Sequence, residues 1–288
     1  YSFDNGVSFS SSNTLTVNDN GLDQTFTYVV RDANGCLTAA QNITLTRLNP
    51  PTDLVFASTA VTCLATSSTV TLTATNGVGV LQYETIAPSP IIVGKQGSNV
   101  FTGLTPGTYV FRVTDANGCY YTESYIINPV TPIAISGVKL SDVLCKGDNT
   151  GAIQYTVSGY AGTYTSTLTS GAGTLVQAGN TINVTNLIAD TYTLEVTDDI
   201  TGCTATATII ITEPAVGLTL VETTNINANC FARAQVTVTA SGGTPSYTYA
   251  FVQDGFSPAG LYTSSNTASL DPITNTNWDV WVMDNQGC

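Results

Sequence analysis

The sequence predicts an all-β protein built of tandem immunoglobulin-like or fibronectin-like antiparallel β-sandwiches, arranged as beads on a string. Three observations lead to this prediction: a composition rich in Thr, an internal repeat of about 84 residues, and short alternating segments separated by turn residues. Only 9% of the 288 residues are charged whereas 42% are hydrophobic. Polarity therefore comes mainly from Thr, a β-branched residue that suits a half-exposed strand.

The internal repeat is marked by two series of cysteines that keep one period. The first series ends a Val-x-Asp segment and comprises Cys36, Cys119, Cys203 and Cys288, at intervals of 83, 84 and 85 residues. The second series comprises Cys63, Cys145 and Cys230, at intervals of 82 and 85 residues. Self-similarity at a fixed period is the signature of a repeat architecture.

The repeats divide the chain into four predicted domains, with prolines at the joints. These are a partial sandwich without its first strands, two sandwiches, and a sandwich without its last strand, at residues 1–50, 51–130, 131–214 and 215–288. We therefore expect this sequence to be a window on a longer repetitive chain.

Each repeat contains an alternating segment before its Val-x-Asp motif, with an aromatic residue at a fixed place. Period-2 alternation of this kind predicts a strand with one buried face. The predicted core aromatics are Phe26, Tyr109, Tyr192 and Trp278. The third repeat predicts short strands near residues 133–136, 142–145, 152–158, 163–168, 174–177, 181–186, 192–197 and 204–212. Asp-x-x-Gly after each alternating segment predicts a tight turn, in which Asp bonds the backbone and Gly adopts positive φ.

Composition excludes several classes of function. The chain has no His, which removes His-based catalytic triads and His metal ligands. Its net charge of −13, with seven scattered Lys and Arg, argues against nucleic acid and against an anionic membrane surface. No segment approaches the roughly 20 apolar residues of a membrane span. We expect neither nucleic-acid binding nor membrane insertion.

Seven cysteines at constant spacing predict disulfides formed in an oxidising, extracellular place. Pairing within repeats would give Cys63–Cys119, Cys145–Cys203 and Cys230–Cys288, with Cys36 paired outside this chain. In a sandwich, however, the turn before the second strand and the turn before the last strand lie at opposite ends, too far apart for a disulfide. Pairing between neighbouring beads would instead give Cys63–Cys203 and Cys145–Cys288, with Cys36, Cys119 and Cys230 paired outside this chain. The sequence leaves both arrangements open.

Paired acids are the only candidate cation ligands, and no cofactor is expected. Asp198 with Asp199, and Asp19 with Asp23, offer oxygen ligands of the kind that Ca²⁺ prefers. None has the dense spacing of an EF-hand loop, so a hydrogen-bonded turn or a solvated acid is the competing interpretation. No copy departs from the repeat in the way a catalytic apparatus would, so we predict no enzyme and no catalytic residue.

Four segments resemble the signature of the SprB repeat. They run over residues 107–119, residues 190–203 followed by 211–214, residues 145–153, and residues 241–249. Copies two to four carry the resemblance most faithfully. Departures are an extra residue between Asp198 and Cys203, and Asn277-Trp278 in place of the Gly-Thr-Tyr start. The family repeat has no catalytic residues to carry over.

The resemblance implies a cell-surface adhesin of gliding bacteria, exported by the type IX secretion system. We predict a segment of a long extracellular adhesin that acts as a stalk or polyvalent binder in gliding motility or surface attachment. The alternative is a set of carbohydrate-binding or spacer modules of a large secreted enzyme. Expected partners are neighbouring repeats, surface polysaccharide or another extracellular ligand, and, through other parts of the parent protein, outer-membrane secretion and motility machinery.

Overall fold

The computed structural model describes residues 1–88, 92–273 and 276–288 and contains 20 β-strands in these ranges, with no helix among them. The chain forms two compact units, residues 1–130 and residues 131–288. All paired strands run antiparallel, and the sheets bury alternating apolar positions. The fold class is the predicted one, all-β with immunoglobulin-like sandwiches.

The first unit contains a two-stranded sheet followed by a sandwich. The two-stranded sheet is β1 (Gln24–Tyr28) and β2 (Gln41–Leu45). The sandwich strands are β3 (Asp53–Ser58), β4 (Ser68–Thr75), β5 (Gln82–Ala87), β6 (Val100–Leu104), β7 (Gly107–Thr114) and β8 (Tyr120–Ile127). Its sheets have the orders β3-β4-β6 and β5-β7-β8. Phe101 and Phe111 meet edge to face between them, with ring centroids 5.0 Å apart.

The second unit begins with a seven-stranded sandwich. Its strands are β9 (Ala134–Ser141), β10 (Gly151–Ser158), β11 (Tyr164–Ser170), β12 (Thr174–Ala178), β13 (Thr181–Leu187), β14 (Asp190–Asp198) and β15 (Thr204–Ile211). With these strands lettered A to G, the sheet orders β12-β13-β10-β9 and β11-β14-β15 are D-E-B-A and C-F-G. That arrangement is the constant-type immunoglobulin topology.

A further sandwich completes the second unit. Its strands are β16 (Thr219–Ile226), β17 (Ala234–Ser241), β18 (Thr248–Gln253), β19 (Thr267–Leu270) and β20 (Trp278–Met283). The sheets β16-β17-β19 and β18-β20 correspond to strands A-B-E and C-F. Within the part of the chain that the structure describes, no strand G pairs with β20.

The strand predicted at residues 142–145 is wrong. The Asp142 carboxylate accepts the Thr212 N–H at 2.7 Å, taking a donor that a strand ladder would use. Val143 N–H then bonds Thr212 C=O at 2.9 Å, while Leu144 N–H turns away to the Thr150 hydroxyl at 2.8 Å. This segment is therefore a loop between strands A and B, held at its start by side chains.

The four predicted core aromatics differ in burial. Tyr109 and Tyr192 are buried, and each hydroxyl donates to the carbonyl four residues upstream, Thr105 at 2.8 Å and Ile188 at 3.0 Å. This contact is the tyrosine corner of immunoglobulin-like folds. Phe26 and Trp278 are only half-buried. Their strands, β1 and β20, each pair with a single described strand, so less of the aromatic ring is covered.

Candidate functional site

The turn between strands F and G is held by one aspartate carboxylate. In the fourth repeat, Asp284 Oδ1 accepts the N–H groups of Gln286 and Cys288, both at 2.9 Å. Asp284 Oδ2 accepts Thr244 N–H at 2.7 Å from the loop between strands B and C. One carboxylate thereby fixes the turn and ties it to the neighbouring loop. Gly243 permits this approach, because a Cβ there would lie 2.5 Å from Oδ2.

The same aspartate recurs in the other repeats. Asp115 accepts Asn117 and Cys119 N–H groups through Oδ1 and Val78 N–H through Oδ2. In the third repeat, where the turn is one residue longer, Asp198 accepts Ile200 and Thr201 N–H groups through Oδ1 and Ala161 N–H through Oδ2. The predicted bond from Asp to its own turn is present in all four copies. The bond to the B–C loop was not predicted. A glycine precedes the loop's donor in the second and fourth repeats, at Gly77 and Gly243, but Tyr160 stands at that position in the third.

Asp198 shows the electrostatic effect of this arrangement. The side chain is buried, and burial on its own raises the pKa of a carboxyl group. Backbone N–H groups from Ala161 at 2.8 Å, Ile200 at 2.9 Å and Thr201 at 3.1 Å outweigh that effect and lower the pKa of Asp198 to about 2. Peptide N–H groups therefore occupy the carboxylate oxygens of Asp198. This is the hydrogen-bonded turn that the sequence offered as the alternative to a Ca²⁺ site.

The remaining Ca²⁺ candidates are not assembled into a site. Asp199 accepts the Thr163 hydroxyl at 2.8 Å, Asp19 accepts Gly21 N–H at 3.1 Å, and Asp23 accepts Arg47 N–H at 2.9 Å. Across residues 1–88, 92–273 and 276–288, no group of three or more Cys, Asp or Glu is placed to hold a metal ion. Asp199 and Asp23 each bond another part of the chain, whereas Asp19 bonds its own turn.

A disulfide joins the third sandwich to the fourth. Cys145 lies in the A–B loop of the third repeat and Cys288 ends the F–G turn of the fourth. Their sulfurs are bonded, with the α-carbons 5.6 Å apart and a sequence separation of 143. The hydrogen bonds accepted by the Asp284 carboxylate fix the backbone at Cys288. The site is therefore a covalent joint between consecutive repeats.

The predicted pairing of cysteines within single repeats is wrong. Cys145 cannot bond Cys203 while it bonds Cys288, and Cys119 and Cys230, both expected in disulfides, are free thiols in this structure, as is Cys36. The reason is distance along strand F. Its nine residues run from the end near the A–B loop to the F–G turn, about 26 Å at a rise of 3.3 Å per residue. A disulfide requires α-carbons within about 7 Å.

The two cysteines not yet placed also carry disulfide bonds. Cys63 and Cys203 are both disulfide-bonded. They belong, respectively, to the A–B cysteine series and to the F–G cysteine series. Four of the seven cysteines are thus oxidised, and the three free thiols are those at Cys36, Cys119 and Cys230.

The joint also contains an ion pair to the linker. Lys146, next to Cys145, donates to Glu213 Oε1 at 2.8 Å, and Gly147 N–H donates to Oε2 at 2.7 Å. The Lys146 bond, followed by the Gly147 bond, lowers the pKa of Glu213 below its usual value. Glu213 is the residue before Pro214, where the chain leaves the third sandwich. The A–B loop therefore holds both the start of the linker and the tip of the next repeat.

A family model of the SprB repeat matches two segments, residues 138–173 and residues 223–251. Each match runs from strand A into strand C and includes an A–B cysteine, Cys145 in one and Cys230 in the other. The chain contains SprB repeats. The A–B cysteine is thus part of the matched region in both segments.

The solved structures that match this chain include tandem-domain proteins. Sidekick-1 immunoglobulin domains 1–5 match with a TM-score of 0.38 at 11% identity, covering 92% of this chain and 64% of that one. The N-terminal eight immunoglobulin domains of Down syndrome cell adhesion molecule match at 0.34 and 13%, covering 94% and 42%. Domains 1–6 of surface layer protein SbsC match at 0.32 and 12%, covering 94% and 48%. This chain thus spans less than two thirds of each. No curated protein matches it in sequence.

The SprB repeats and the disulfides together point to an extracellular or cell-surface protein, because disulfides persist in oxidising compartments. In the ranges that the structure describes, no helix is long and apolar enough to cross a membrane.

Proposed function

We propose that this chain is a segment of a long cell-surface adhesin, in which tandem SprB sandwiches form a covalently jointed, non-catalytic stalk. The observation that carries the proposal is the Cys145–Cys288 disulfide, which links one repeat to the next instead of closing a single sandwich. A spacer between catalytic modules needs no such joint, whereas a filament that bears tension gains from it.

The mechanical role follows from where force enters the joint. Tension that arrives at Cys145 passes through the disulfide to Cys288 and bypasses the 142 residues between them. The Lys146–Glu213 pair and the Gly147 bond hold the linker at the same place, which reduces bending. A stiff array then presents many copies of the same surface, and weak contacts multiply through effective concentration.

The proposal also includes export of the protein by type IX secretion and a part in gliding. They are supported by the SprB repeats alone. Surface polysaccharide or another extracellular ligand, and the motility machinery reached through other parts of the parent protein, are the partners that this role requires.

The proposal is tested on intact cells that produce the chain. Fab fragments raised against the folded chain should label unpermeabilised cells and reduce both their attachment to glass and their movement on it. Fab fragments against a cytoplasmic protein are the control and should do neither. Labelling only after lysis, or recovery of the chain in the medium joined to a hydrolase, would overturn the proposal in favour of a secreted enzyme.

A further inference from the structure

We propose that the outer face of the β5-β7-β8 sheet in the second repeat binds a neutral polysaccharide, with Tyr120 packing on a pyranose ring and Arg112 donating to its hydroxyl groups. This sheet corresponds to strands C-F-G. The inference rests on the proposed function, because it names the class of ligand that one repeat of the adhesin binds. Three side chains build the site: Glu84, Arg112 and Tyr120.

These side chains lie next to one another on one face of the sheet. Glu84 is directly opposite Arg112 across the C–F pair, and Tyr120 pairs with Thr114, two residues further along strand F. Phe111, which precedes Arg112, is fully buried in the core. Because successive side chains of a strand point to opposite faces, Arg112 and Thr114 face outward, and Tyr120 faces outward beside them.

An ion pair fixes the orientation of Arg112. Its Nε donates to Glu84 Oε1 at 2.7 Å, and its Nη2 lies 2.6 Å from the same oxygen. Glu84 is only 6% exposed, whereas 32% of the Arg112 side chain is accessible. A buried pair of this kind adds little stability over apolar residues of the same volume. What it provides is a guanidinium group held in one orientation, with further N–H donors left for a ligand.

Tyr120 supplies the apolar part of the site. Its ring is 63% exposed, and the Arg112 guanidinium carbon lies over one face, 5.6 Å from the ring centroid. The other face is therefore the one in contact with water. A pyranose ring has a face of C–H groups that packs on an aromatic ring and a rim of hydroxyl groups that needs hydrogen-bond partners. Tyr120 matches the first, and Arg112 with the exposed Thr122 hydroxyl opposite it matches the second.

The third repeat has none of the three residues at the corresponding positions. Its C-F-G sheet has the same strand order and carries Thr167, Glu195 and Thr204 there. The sandwich therefore does not need the ion pair or the aromatic ring in order to form. Three departures from the repeat that meet at one place on the surface indicate binding, because folding alone does not account for them.

The exposure of Tyr120 is a property of the sheet face and does not depend on whether the F–G turn beside it is joined to another repeat. In the third repeat Thr204 has the same position, directly after Cys203, and Cys203 is disulfide-bonded. Thr204 is exposed all the same. A disulfide at the F–G turn thus leaves the next residue uncovered.

Charge and shape favour a neutral polymer. The positive charge of Arg112 is balanced by Glu84, and the chain as a whole carries a net charge of −13, which repels an acidic polysaccharide. Among the described residues, this cluster forms an open face and not a closed pocket. A free monosaccharide loses little contact with water on such a face, whereas an extended chain can cross it with any internal ring on Tyr120. The single contact is weak and gains strength where several chains engage one surface.

Affinity electrophoresis of the full-length chain tests the site. Native gels contain hydroxyethylcellulose, galactomannan or dextran as neutral probes, and alginate as the acidic one. At least one neutral polymer should retard the chain, and alginate should not. Retardation over a series of polymer concentrations gives the dissociation constant for each variant.

Tyr120→Thr introduces the residue of the third repeat and should weaken binding about tenfold. Tyr120→Phe keeps the ring and should bind like the unaltered chain. Arg112→Lys keeps a positive charge beside Glu84 but loses the planar array of donors, so binding should weaken. Phe256→Ser removes a ring of similar exposure, 65%, in the fourth repeat, and is the matched control that should bind normally. Equal melting temperatures of these variants verify that the sandwiches are intact.

Three results would overturn the site: no retardation by any neutral polymer, stronger retardation by alginate than by the neutral polymers, and equal binding by Tyr120→Thr and the unaltered chain. Fab labelling of intact cells separates this failure from failure of the proposed function. Labelled cells whose chain binds none of the neutral polymers count against the site alone. Cells that are labelled only after lysis count against the surface stalk, whatever the gels show.

Discussion

The α-carbons of Cys145 and Cys288 lie 5.6 Å apart although their sequence separation is 143. Each belongs to a different sandwich, so the bond joins two separately formed cores. Asp284 accepts three hydrogen bonds that fix the backbone of the F–G turn at Cys288.

Pulling the chain from its two ends should reveal the disulfide as a change in length. With the bond intact, the residues between Cys145 and Cys288 are shielded from force. At about 3.3–3.6 Å per extended residue, reduction should lengthen the fully unfolded chain by at least about 470 Å. Atomic force spectroscopy with and without reductant measures this difference.

The control for that measurement is a chain in which the three free thiols at Cys36, Cys119 and Cys230 are replaced by Ser. It should keep the full difference in length. Equal lengths in oxidised and reduced conditions would contradict a force-bearing disulfide.

The disulfide, and not the ion pair beside it, should supply most of the stability of the joint. Cys145→Ser removes a closure of 143 residues, worth roughly 2–5 kcal/mol in the free energy of unfolding. Lys146→Met removes a partly exposed pair with Glu213, worth about 0–1 kcal/mol. The free energies of unfolding of the two variants are compared by urea unfolding and by hydrogen exchange in β20. A larger loss from Lys146→Met than from Cys145→Ser would reverse this order.

Much of the fold could be predicted from the sequence. Period-2 alternation is a local feature of neighbouring residues, and the period of the two cysteine series can be counted along the chain. The immunoglobulin-like topology followed from strand number and turn spacing. The strand at residues 142–145 could not be excluded, since it is lost to the Asp142–Thr212 bond between residues 70 apart. The choice between two disulfide arrangements likewise depended on which ends of the sandwiches meet. Sequence spacing alone does not contain that information.

The stability of the sandwiches should fall between about pH 4 and pH 2. The pKa of Asp198 is lowered from 3.8 to about 2 in the folded chain, so its contribution is complete above pH 4 and is lost as pH falls through the folded pKa. The lowered pKa values of Asp284 and Glu213 act in the same direction. Thermal unfolding at pH 7, 4, 3 and 2, followed by circular dichroism, measures the loss.

Asp198→Asn should be less stable at pH 7, because an amide cannot accept all three backbone N–H groups as strongly as a carboxylate does. Its melting temperature should also change less than that of the unaltered chain between pH 4 and pH 2. Asp254→Asn, at an exposed position, is the matched control and should follow the unaltered chain. An identical slope for Asp198→Asn and the unaltered chain would remove Asp198 as a source of the acid sensitivity.

The tyrosine corner should be measurable by removing a single oxygen. Tyr192→Phe deletes the hydroxyl that donates to Ile188 C=O at 3.0 Å and leaves that carbonyl without this partner, while the buried ring remains. We expect the third repeat to lose about 1 kcal/mol in free energy of unfolding. Tyr120→Phe is the control, since Tyr120 is exposed, and should change stability little. Native-state hydrogen exchange in β13 and β14 localises the effect to this sandwich. Equal protection in both variants would show that the corner bond contributes nothing to the fold, and that packing of the aromatic ring alone accounts for the recurrence of Tyr at this position.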